Sequence, residues 1–226
     1  MFFKNHKAAL DYRKRIGSPK VLKPLVLMTL TSITVILIAI VIAPDNDYGH
    51  YFSEDHQTLS ESGFVTYLSA MFLASASVLA GISFSRLRSR KDWYKYFWLL
   101  ATLGFGFFFV DELFWLHERA GWWISESAAV PDGYRNWNDI IVIFYGLAAL
   151  LIMAGFLPEI LRFPWVMETL SIAFFFYFIH TLIDSTQYFP SPISTILEES
   201  SKVFCNELLA LSMLTAFLGI KNSSQS

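Results

Sequence analysis

Six nearly unbroken runs of apolar residues follow one another along the chain, at Leu25 to Ala43, Phe64 to Phe84, Tyr96 to Leu116, Ile140 to Leu157, Trp165 to Ile183 and Leu197 to Ile220. Each is close to the roughly 20 residues a helix needs to cross hydrocarbon. Backbone groups left unpaired there are costly, so segments of this kind cross as helices. The pattern predicts an all-α polytopic membrane bundle of about six transmembrane helices, forming one domain over residues 1–226. Residues 1–23 form a basic leader and residues 221–226 a polar tail. The leader is long, the first run is long, and Ala43-Pro44-Asp45 is a poor cleavage site, so the first run reads as a retained helix.

Composition agrees: 54% of the residues are apolar and 22 are Phe. The formal charge of -2 gives no reason to expect nucleic acid. Cys205 is the only cysteine, which excludes an intrachain disulfide and a multi-cysteine metal site.

Charge matters by location. Seven Lys and Arg precede the first run, and Arg86, Arg88, Arg90, Lys91 and Lys95 lie between the second and third. The positive-inside rule puts both segments in the cytoplasm, and alternation then brings Arg162 and Lys221 to the same side, 14 of the 17 Lys and Arg together. Both termini are expected inside, in a cell inner (plasma) membrane. Trp93, Trp98 and Trp165 fall near inner ends and Trp115, Trp122, Trp123 and Trp137 near outer ends, as interfacial belts require. Two outer segments, Pro44 to Gly63 and Glu118 to Asn138 with its Val130-Pro131-Asp132-Gly133 turn, are long enough to cover the bundle.

With this topology 15 of the 19 acids lie in the outer half. In the third run, a continuous helix would nearly eclipse Asp111 and Glu118, with Glu112 and His117 flanking them. Asp111 is deep enough that facing lipid would be costly. His180 and Asp184, four residues apart, share a helix face at chelating spacing. In the last run Glu199, Lys202 and Asn206 share a face, with Glu198 beside them and Glu207 deeper.

Each group also has a purely structural reading. Asp111 and Glu112 can pair with Lys202, Arg119 or Arg135. His180 can be a hydrogen-bonded core histidine, and Glu198 and Glu199 can serve the helix dipole. His50, Glu54, Asp55 and His56 read as loop residues.

The Asp-Glu-x-x-x-x-His-Glu run from Asp111 to Glu118 and the later Glu198-Glu199 resemble motifs of an uncharacterised group of small prokaryotic multi-pass membrane proteins. There is a fainter similarity to the CREST superfamily of membrane hydrolases, which includes alkaline ceramidases. That resemblance implies a metal site built from acidic and histidine side chains of several helices. Here His180-x-x-x-Asp184 stands on the fifth of six helices, where that pattern has His-x-x-x-His on a seventh.

The sequence therefore reads as a metal-dependent membrane enzyme, a hydrolase of a lipid or amphiphilic substrate at the extracytoplasmic leaflet. Asp111, His117, His180 and Asp184 would hold a divalent metal ion such as zinc, and Glu118 or Glu199 would take a proton from metal-bound water. Two other classes use the same residues: a proton- or cation-coupled transport protein, and a non-catalytic membrane subunit whose polar groups join helices. The topology is directly testable. A reporter inserted near Ser89 should read cytoplasmic and one near Pro131 extracytoplasmic; an exterior reading at Ser89 would invert every placement above.

Overall fold

A computed structural model of the chain describes residues 11, 21–43, 63–128, 137–185 and 191–223. The basic leader is largely outside these residues, as are His50, Glu54, Asp55, His56, Arg135 and the turn from Val130 to Gly133. The elements are α1 (Leu22–Ile42), α2 (Phe64–Leu87), α3 (Tyr96–Phe114), α4 (Leu116–Ser125), α5 (Trp137–Gly155), α6 (Leu157–Ile160), α7 (Val166–Ser185) and α8 (Ser191–Ser223). A single 3-10 turn, Trp93–Lys95, leads into α3. Six helices, α1, α2, α3 with its leading turn, α5, α7 and α8, are long and apolar enough to cross a membrane. The chain is thus an all-α, multi-pass membrane protein, as its hydrophobic pattern predicts.

The longest helix, α8, is the axis. Two-thirds of its apolar window is buried, against about a sixth for α1, α3 and α5. It packs along α7 and α2 and more lightly on α1, while α3 lies along α2 and α5 beside α7. Small residues bring the backbones together: Ala76 and Ala80 of α2 and Ala210 and Ala216 of α8 lie in one buried cluster. At Gly146 of α5 a β-carbon would come within 2.7 Å of the Tyr177 ring, so Tyr177 of α7 rests on the backbone there. The large side chains of α1, among them Leu27, Leu37 and Val41, are exposed, the surface a bilayer covers.

Polar groups also join the helices. Thr29 and Ser32 of α1 donate to the two carboxylate oxygens of Glu207 at 2.6 Å each. Asn206 Nδ2 donates to Ser69 of α2 at 2.6 Å, and Ser77 of α2 donates to the Thr102 carbonyl of α3.

At the end that the charge pattern places inside, Glu159 of α6 is fully buried. It accepts from Arg90 at 2.7 Å and 3.0 Å, from Trp98 Nε1 at 2.8 Å and from Arg162 at 3.1 Å. One carboxylate thus fastens the α2–α3 connection to the α5–α7 connection. Trp98 and Trp115 accordingly depart from the interfacial belt, because both rings are buried, whereas Trp93, Trp122, Trp123 and Trp165 are exposed. Glu159→Gln should destabilise the protein by about 3 kcal/mol, because two guanidinium groups lose their shared buried counter-charge. Asp92→Asn, at a half-exposed partner of Arg90, should cost less than about 1 kcal/mol. Thermal unfolding in detergent checks both; equal shifts would remove Glu159 as the clamp.

Candidate functional site

The site begins with an interruption that hydrophobic periodicity does not reveal. Instead of running on to Arg119, α3 stops at Phe114, and Trp115 adopts φ 53 and ψ 44, the left-handed region. For a bulky L-residue that conformation costs on the order of 1–2 kcal/mol. Burial of the Trp115 ring and its N–H bond to the Asp111 carbonyl at 2.7 Å help offset it. The chain then restarts as α4, and Asp111 holds the new helix: Oδ1 accepts the His117 backbone N–H at 2.8 Å, and Oδ2 meets His117 Nδ1 at 2.9 Å. Asp111 and Glu118 are therefore related by this break, not by two turns of one helix.

The break swings α4 across to α5. Gly121 makes the contact possible, since a β-carbon there would lie 2.6 Å from Asn138 Oδ1 and 2.7 Å from its backbone nitrogen. Beneath α4 lies a cavity of about 380 Å³ lined from α2, α3, α4, α5, α7 and α8. Asp111, His117, Glu118, His180, Asp184 and Glu199, the six residues expected to hold a metal or take a proton, line it together. Its apolar side includes Leu73, Phe108 and Leu209.

Lys202 supplies the internal counter-charge. Its Nζ stands 2.9 Å from Glu199 Oε1 and 3.4 Å from Glu112 Oε1, so it bridges α8 to α3. Of the alternatives open in the sequence, the structure pairs Glu112 with Lys202, whereas Asp111 pairs with His117, a partner not anticipated there. Glu199 Oε2 and His180 Nδ1 are buried and have no hydrogen-bond partner. Glu112, Asn138, Tyr145 and Tyr177 also line the cavity. Of these, the two tyrosines lay in apolar runs that gave no signal of a site, while Tyr177 donates to the Val142 carbonyl.

The four residues expected to hold a metal, Asp111, His117, His180 and Asp184, all line this cavity. Asp111 engages His117 instead of standing beside it as a second ligand. Among the described residues no three His, Cys, Asp or Glu side chains are disposed to hold an ion. The physical reason is the break at Trp115, which turns both Asp111 oxygens toward His117. The donors instead cover the cavity wall.

What the geometry does set up is an acid–base dyad. With Asp111 accepting at Nδ1, the neutral His117 ring carries its proton there and leaves Nε2 as the acceptor. Burial works against the imidazolium, but the hydrogen bond and charge of Asp111, with Glu118 adding to them, outweigh burial and the opposing Lys202. His117 is therefore held above its ordinary value of 6.5. A raised folded value stabilises the folded state fully below the unfolded pKa and loses that contribution as pH rises through the folded value. The grip on α4 should weaken over that interval. Proton NMR of the His117 ring in micelles should give a midpoint above 6.5, lowered in Asp111→Asn. A wild-type midpoint at or below the free imidazole value would remove the dyad.

Comparison with curated proteins gives no match, and neither does comparison with solved structures. Residues 21–218, which include five of the six long helices whole, α8 as far as Leu218 and every lining residue of the cavity, match one family description, Domain of unknown function (DUF8692). The chain belongs to the DUF8692 family.

Proposed function

We propose that this protein is a membrane-embedded hydrolase that takes a lipid or other amphiphile from the extracytoplasmic leaflet. The observation that carries this reading is the Asp111–His117 dyad at the wall of a cavity that α4 helps to line. In the proposed reaction His117 Nε2 removes a proton from water as the water oxygen bonds to the scissile carbon. Asp111 holds the ring and offsets its new charge. The bond to the leaving group then breaks, and Nε2 returns the proton to it. Lys202 is the one lysine or arginine among the lining residues and meets the negative charge that develops on the substrate. Glu118 and Glu199 are the further proton-accepting groups of the wall.

The cavity has a size suited to a small molecule or a headgroup. Exposed Trp122 and Trp123 on α4 suit an element lying at the lipid–water boundary beside the entrance. Conduction would require polar groups continuing toward the other end, and the apolar lining of Leu73, Phe108 and Leu209 argues against it.

A divalent ion is the second reading. The orphaned Nδ1 of His180 favours it, as does the His180–Asp184 pair on the same wall. His117, His180 and Asp184 would be its holders after side-chain rearrangement, and the ion would supply Lewis-acid chemistry.

Purified protein in vesicles of polar lipid extract, followed by mass spectrometry for released products, tests the proposal. Wild type should turn over lipid, His117→Ala should lose about 100-fold or more, and Asp111→Asn should lose activity while remaining folded. No turnover by wild type, with or without added divalent ions, or undiminished turnover by His117→Ala, would sink it. Elemental analysis of protein purified without chelators decides the second reading: stoichiometric metal that disappears in His180→Ala supports it, and its absence rejects it.

A further inference from the structure

Among the described residues that line the cavity, the side chains are unequal in formal charge. Six carboxylates line it, from Asp111, Glu112, Glu118, Asp184, Glu198 and Glu199, against the single ammonium of Lys202 and the rings of His117 and His180. Even with both imidazoles charged the wall is net negative. Lys202 already lies between Glu112 and Glu199. An independent sign of a missing partner is Glu199 itself: its side chain is 7% exposed, and Oε2 has no hydrogen-bond partner. A buried carboxylate oxygen in that position is costly until a donor or cation reaches it.

The shape of the wall indicates which cation. A metal ion needs several donors converging within about 2.6 Å, and among the described residues no three acidic, histidine or cysteine groups converge in that way. An organic ammonium spreads its charge over a larger volume and is served by carboxylates distributed around it and by aromatic faces. The lining supplies those faces in Phe108, Tyr145 and Tyr177, and the volume of about 380 Å³ is far larger than an ion needs.

We infer that the site recognises an amphiphile with a cationic amine headgroup, received by Glu199 Oε2 with the aromatic side of the cavity around it. This rests on the reading that the cavity takes an amphiphile and adds the chemical class of its headgroup. Lys202 has a matching role, since it holds Glu199 Oε1 and leaves Oε2 for the ligand. The apolar tail lies toward α4 and the lipid.

Binding can be read without turnover. The full chain in dodecyl maltoside micelles is titrated with radiolabelled dodecyltrimethylammonium, with unlabelled dodecylamine or dodecyl phosphate as competitor. Saturable binding at one site per chain is expected, displaced by the amine and not by the phosphate. Glu199→Gln should weaken it about tenfold, the scale of one lost charge-assisted contact. Equal competition by the anionic amphiphile, absence of saturable binding, or unchanged affinity in a folded Glu199→Gln would overturn the inference. Displacement by stoichiometric zinc or calcium would also overturn it, in favour of a metal site. If Glu199→Gln does not fold, the wild-type competition series decides alone. His117→Ala should retain binding, which separates the two proposals. Ammonium binding without hydrolysis of any lipid refutes the hydrolase alone, whereas hydrolysis without ammonium binding refutes the headgroup assignment alone.

Discussion

Both oxygens of Asp111 are taken by one residue six positions away, and the geometry of the outer end depends on that grip. It requires the chain to turn sharply after Phe114, which the left-handed Trp115 accomplishes. Without the turn, α3 would continue upward and α4 would not cross to α5. The cavity would then lose its cover, and His117 would not share its wall with His180 and Asp184. The same carboxylate orients the His117 ring and receives the backbone N–H of His117 in the first turn of α4, so one side chain both caps the new helix and sets the ring.

Buried charge is handled differently at the two ends of the bundle. Glu159 is surrounded by two guanidinium groups and an indole N–H, each of its oxygens accepting from more than one donor. That is a finished network, and it closes the inner end. Around the cavity one lysine serves two glutamates, and Glu199 keeps an oxygen with no hydrogen bond.

The six long helices were legible because hydrocarbon imposes both their length and their composition, and their observed ends lie within a few residues of the apolar runs. The residues of the wall were legible for a related reason: carboxylates and histidines within such runs are costly unless they share an interior. The break at Trp115 was not legible. A left-handed helix end normally shows itself by Gly or Asn, and here the position is a tryptophan in an apolar run, whose bond to Asp111 exists only after folding. The pairing of Asp111 with His117 follows from that hidden turn. Glu159 was similarly obscured, because Arg162 lies three residues away but Arg90 and Trp98 are distant in sequence.

The two intramembrane glutamates of α8 differ in how fully their neighbours bond them. Glu207 lies eight residues after Glu199, about 12 Å farther along the helix and turned to another face. There it meets α1, whose Thr29 and Ser32 hydroxyls satisfy both of its oxygens. Glu207 is therefore a joint: it attaches a peripheral helix that otherwise packs mainly through Ile36 and Ala39. Glu199 has the same chemistry and similar burial, yet only one of its oxygens is hydrogen-bonded. By sequence Glu199 takes a site role and Glu207 none, but neither shows a bonding partner there. What distinguishes them is that the neighbours of one complete its bonding, while those of the other hold it in place and leave an oxygen available at the cavity wall.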